Sequence, residues 1–145
     1  MTQILTPLVV GYIDNGNLVA LHERFGFRSS VLKAAGLLDE IWGPVGFVFD
    51  FESIPNLIRG PIGENKRGGA AHDIISRKNV CPGITKSIAA DVYAEIMDYC
   101  DSIDRAIAAR EAGTIGKIAA PFVTFGKWIR RKTKITVVRY WPGGY

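Results

Sequence analysis

The stretch LVVGYIDNGNLVALH, residues 8–22, decides how the first third of the chain is read. Two short apolar runs, LVVGYI (8–13) and NLVALH (17–22), flank Asp14-Asn15-Gly16. Asn-Gly between apolar runs is the strongest short-range signal for a β-hairpin, because both residues accept the positive φ that a tight hairpin turn requires. A second pair of strands is expected from Phe25 to Ser29 and from Val45 to Phe49. Between them SSVLKAAGLLDE (29–40) suits one short helix, with Ser30 as N-cap and Gly36 as the break at its end.

Past Asp50 the texture becomes helical. Ser53-Ile54-Pro55 predicts a cap and a proline in the first turn of a short helix reaching about Arg59. GPIGENKRGG (60–69) reads as a loop, and a second helix is expected from about Gly69 to Lys78. The third and longest helix starts with Thr85 as cap and runs to about Glu111. Its residues Ile88, Val92, Ile96, Tyr99, Cys100, Ile103 and Ile107 keep the spacing of one helix face. Beyond it, a helix broken at Gly116, Pro121 and Gly126 and a short β-like tail, ITVVRYW (135–141), are expected. The fold class is therefore α+β: an N-terminal β-hairpin or small antiparallel sheet packed on a C-terminal helical part with one long helix over about 85–111. The expectation is one domain over residues 1–145, β-rich over 1–50, helical over 53–131, with a basic tail over 132–145.

Composition bounds the function classes. An apolar fraction of 48% with 22% charged residues is ordinary for a globular chain. No run approaches the roughly 18 apolar residues of a membrane span, and MTQILTPLVVGYIDNG lacks the basic start of a signal peptide. Cys81 and Cys100 make no disulfide framework and read as two reduced thiols. The net charge of +4 is unevenly spread. Residues 112–145 hold seven basic side chains and no acid, whereas residues 1–64 hold four basic and seven acidic ones. Such an end suits an anionic partner, nucleic acid or lipid. Lys127, Trp128, Arg130, Arg131, Lys132 and Trp141 are the candidate docking residues, since tryptophan and arginine are the types that anchor interfaces.

The candidate chemistry lies in GGAAHDIISRK (68–78). On an ideal helix Ala71, Ile74 and Ile75 share a face, His72 lies at its margin, and Asp73 points outward or into a cleft. A histidine becomes a general base when a carboxylate holds one ring nitrogen. Asp50, Asp91 and Glu52 are the candidates for that orienting role, so His72, Asp73, Asp91 and Asp50 form the candidate catalytic set. The same four side chains could take a divalent metal such as Zn²⁺, Mn²⁺ or Ca²⁺. The alternative is a polar joint that fixes how the helices meet the hairpin.

Two resemblances follow from these motifs. A His-Asp pair opening a helix, with an aspartate on the next, is loosely similar to secreted phospholipase A2, although position 76 is Ser and neither a cysteine framework nor a calcium loop is present. GFVFDFESIPNLI (46–58), AAHDIISRK (70–78) and AADVYAEIMDYC (89–100) together resemble a phage- and prophage-encoded family. Its members carry a Gly-Phe strand with an aspartate, then Ser-Ile-Pro, a His-Asp helix, and a helix bearing an aspartate. The chain departs from that pattern at Ile75, where an aromatic-containing run usually follows. The resemblance implies a protein made in a bacterial host's cytoplasm and associated with the virion, and it brings no activity with it. The expected function is a virion- or tail-associated structural component with other phage structural proteins as partners. The alternative is a small His/Asp-dependent hydrolase acting on cell-envelope lipid or peptidoglycan.

Overall fold

A computed structural model describes residues 1–13, 18–50, 66–77 and 79–111. The turn at 14–16, the helix expected over 53–59, Glu52, and everything from 112 onward lie outside the described residues. So do the six candidate docking residues and the 135–141 tail.

Among the described residues the strands are β1 (Gln3–Ile4), β2 (Val10–Ile13), β3 (Leu18–Leu21), β4 (Phe25–Arg28), β5 (Glu40–Gly43) and β6 (Val48–Phe49). They form two antiparallel sheets, ordered β1-β4-β5 and β2-β3-β6. The hairpin strands pair as the sequence implies, with Val10 opposite Leu21 and Ile13 opposite Leu18. The helices are α1 (Ser30–Ala34), α2 (Lys66–Ser76) and α3 (Lys86–Glu111). The α+β class is as expected, with small antiparallel sheets ahead of two longer helices.

The second expected strand pair is rearranged. β4 takes β5 as its neighbour, with Phe27 opposite Ile41, whereas β6 joins β3, with Val19 opposite Phe49. The run read as one strand from Val45 is interrupted by a turn over Pro44–Phe47. Phe47 N donates to Pro44 O at 3.2 Å, and Gly46 at the third position has φ 80°. A positive φ at the third position marks a type II turn, which favours glycine there.

α1 is capped at both ends by its own sequence. Ser29, not Ser30, is the N-cap, with extended backbone and a hydroxyl that accepts from Leu32 N at 3.2 Å. At the other end Gly36 has φ 71°, Gly36 N donates to Lys33 O, and Leu37 N donates to Leu32 O. That is a Schellman ending, which needs a left-handed residue where Gly36 stands. α3 begins as expected, Thr85 Oγ1 accepting from Ile88 N at 3.2 Å.

α2 starts at Lys66, about three residues before the expected boundary, because Gly68 and Gly69 belong to the helix and are buried. Glycine inside a helix costs roughly 1 kcal/mol against alanine. Here Gly68, Gly69, Ala70 and Ala71 give α2 a smooth buried surface, and α2 packs chiefly on α3, whose Ala89 and Ala90 are also fully buried. On another side α2 meets β5 at Gly43, where a Cβ would lie 2.5 Å from Ile74 Cδ1 and 2.9 Å from Leu21 Cδ1. One hydrophobic cluster takes residues from β3, β4, β5, β6 and all three helices, among them Leu21, Phe25, Phe27, Leu32, Ile41, Phe49, Ile74 and Ile96. Along α3, Val92, Ile96 and Cys100 of the apolar stripe are buried, Ile88 and Tyr99 are partly buried, and Ile107 is 48% exposed. No helix of the described residues is long and apolar enough to cross a membrane.

Candidate functional site

α2 carries His72 and Asp73 into the region where it meets α3 and the end of β6. His72 Nδ1 and Asp73 Oδ1 are 3.2 Å apart, and the two side chains are 17% and 14% exposed. The ring of Tyr93, a fully buried residue of α3, meets the imidazole edge-on with centroids 6.1 Å apart. Asp50, immediately after β6, acts on Asp73 through its negative charge. Burial pushes the Asp73 carboxyl above the usual carboxylate range; His72 works against that shift and Asp50 works with it.

Two polar atoms in this group, His72 Nε2 and Asp73 Oδ2, are shielded from solvent and have no hydrogen-bond partner. Leaving such an atom unsatisfied costs on the order of 1–3 kcal/mol. If Nδ1 holds the imidazole hydrogen and donates it to Asp73, Nε2 is left with a free lone pair, the atom a general base would use.

Of the four candidate catalytic residues, His72 and Asp73 are in contact, and Asp50 lies near enough for its charge to act on Asp73. The roles within the set differ from expectation. The carboxylate that holds the imidazole is its own neighbour Asp73. From α3 the residue that reaches the ring is Tyr93, while Asp91 is half-buried. Asp73, expected to point outward or into a cleft, is largely buried. The wheel placed it opposite the apolar face of α2, but this helix is covered by β5, by α3, and by the segment ending in Asp50, so the opposite face is an interior one too. No group of three or more His, Cys, Asp or Glu side chains among the described residues is arranged to hold a metal ion. Cys81 and Cys100 are free and buried, and burial pushes both thiols up.

A second polar cluster went unread in the sequence. Glu95 of α3 accepts from Thr2 Oγ1 at 2.5 Å, from Ser29 Oγ at 2.5 Å, from Ser30 N at 3.1 Å, and from the Ser30 hydroxyl. Burial opposes ionisation of this carboxyl, but the hydrogen bonds from Ser29, Ser30 and Thr2 outweigh it and hold the group below the usual range. The available signal was Glu95 itself, three residues after Val92 and four before Tyr99, a charge on the apolar stripe. On the outer face of β4 and β5, Glu40 accepts from Trp42 Nε1 at 2.8 Å and pairs with Arg28 at 2.9 Å. The Trp42 ring covers Gly26 and carries the Arg24 guanidinium 4.9 Å from its centroid.

Comparison with protein families, with curated proteins and with solved structures gives no match for this chain.

Proposed function

We propose that the chain is a non-catalytic accessory protein of a bacteriophage, a virion- or tail-associated component, in which His72, Asp73 and Asp50 form an interior joint between α2 and the end of β6. The observation that carries the non-catalytic part is the shielding of His72 Nε2. A hydrolase acting on envelope lipid or peptidoglycan would have to present that nitrogen to its substrate. The viral part rests on the three ordered motifs over residues 46–58, 70–78 and 89–100. By composition, Lys127, Trp128, Arg130, Arg131, Lys132 and Trp141 are the docking residues, directed at an acidic surface of another particle protein.

The chain has two histidines, and His22 is exposed. Diethyl pyrocarbonate should therefore modify His22 quickly in the folded protein and reach His72 only on unfolding. Equal rates at both would overturn the interior joint and make a lipid and peptidoglycan substrate screen the next step. Gradient-purified particles from the producing bacterium should contain the chain at a fixed ratio to the major capsid protein. Its confinement to the particle-free fraction would refute the virion assignment.

A further inference from the structure

We propose that the N-terminal arm, residues 1–6, is exchangeable: in a pair of molecules each arm leaves its own body and seats in the groove of a second copy of this chain. The inference goes beyond the interior joint and the viral assignment and rests on neither. Its basis is how the arm is held. β1 belongs to the sheet β1-β4-β5, whereas the next strand along the chain, β2, belongs to the other sheet. Exposed Pro7 lies in the link between them. The bonds that seat the arm run to residues 24–30 and to Glu95. Gln3 pairs with Arg28 and Ile4 with Phe27, and Leu5 N donates to Gly26 O at 2.8 Å. Thr2 Oγ1 donates to Glu95 at 2.5 Å. Thr6 Oγ1 donates to Arg24 O and accepts from Gly26 N, both at 2.9 Å.

The groove selects this arm. Alternate residues of a strand share a face, and Thr2, Ile4 and Thr6 are half-buried while Met1 and Gln3 are exposed. The two hydroxyls meet Glu95 and the backbone around Gly26, and Ile4 between them packs on the hydrophobic cluster. An occupant of the vacated groove needs that same alternation of hydroxyl, aliphatic and hydroxyl, and the arm of a second copy supplies it. Every bond of the single molecule then reappears in the exchanged pair. Gly26 is buried, so an empty groove strands its N–H and C=O. Reciprocal exchange satisfies both copies at once and closes as a twofold pair. Pro7 holds Thr6 in extended conformation, so the arm leaves its body as a preformed strand.

The test uses the full chain, concentrated to the millimolar range, warmed to just below its melting temperature and cooled. Sedimentation equilibrium should then show a dimer that returns slowly to monomer on dilution. Carbon-13-labelled and unlabelled chains, mixed before the warming, should give an isotope-filtered nuclear Overhauser contact between Ile4 of one copy and Phe27 of the other. A chain that stays monomeric overturns the proposal, and so does a dimer without that contact. Thr2→Val gives a second readout. It loses the same hydrogen bond in monomer and in dimer, so the dissociation constant should hold while interconversion quickens about tenfold. A dissociation constant that moves with the substitution would place Thr2 in a newly formed interface and overturn the exchange.

Discussion

Glu95→Ala is the substitution whose cost follows most directly from the structure. Glu95 is the common acceptor for Thr2, for Ser29, and for the hydroxyl and N–H of Ser30. Hydrogen bonds to a charged group contribute about 1.5–3 kcal/mol each where water cannot replace them. Ser30 is exposed and Thr2 half-buried, so their donors largely recover water. Ser29 is 1% exposed, so its hydroxyl is stranded, at a cost of roughly 1–2 kcal/mol. The remaining contacts add about 1 kcal/mol, while alanine's helix propensity returns a few tenths. The net loss is then about 2–3 kcal/mol. Unfolding entropy near 2.1 cal/mol/K per residue, over a chain of 145 residues, is roughly 0.3 kcal/mol per degree. The expected fall in melting temperature is therefore about 7–10 °C, followed by circular dichroism with a parallel urea titration. The difference should also depend on pH. Because Glu95 is held below the usual range, its contribution is present above the unfolded value and is lost as pH falls through the folded one. The gap between wild type and variant should accordingly narrow in acid. A fall under about 2 °C at neutral pH, or a gap indifferent to acid, would refute this account of the cluster.

Two glycine substitutions separate crowding from backbone strain. Gly43→Ala places a methyl 2.5 Å from Ile74 Cδ1 and should cost about 1–3 kcal/mol in urea unfolding. Adding Ile74→Val removes that atom and should recover part of the loss, whereas strictly additive losses would mean the clash is elsewhere. At Gly36 an added Cβ meets nothing within 4 Å, but φ is 71°. Gly36→Ala should therefore cost about 1–2 kcal/mol through the backbone alone, read as a lower urea midpoint at unchanged slope. No change in midpoint would contradict the Schellman ending of α1.

The parts legible in the sequence are those whose signals are local. Apolar runs around Asn15-Gly16 mark β2 and β3, and Thr85 with a long stripe marks α3, because turn and cap chemistry act within a few residues. β5 was hidden because Gly43, which faces Ile74 and Leu21, replaces the inward apolar side chain that alternation would show. The start of α2 was hidden for a related reason: Gly68 and Gly69 look like loop residues until a neighbouring helix is there to need their smallness. At the site, the composition of the group was readable and its internal geometry was not. Whether Asp73 faces water depends on elements far along the chain, which a single helix wheel does not contain. Glu95 escaped because its partners are 65 to 93 residues away.

That separation has a consequence for how the chain acquires its structure during synthesis. Thr2 and Glu95, joined in the finished fold, are 93 residues apart. At translation rates of about 5–20 residues per second, the N-terminal strand and the cap of α1 wait several seconds or more for the carboxylate that ties them down. Until α3 emerges, Phe25, Phe27 and Leu32 have only part of their packing, and two short sheets present strand edges to their surroundings. Closure of this part of the fold therefore waits for the long helix, and the vulnerable interval ends when that helix arrives.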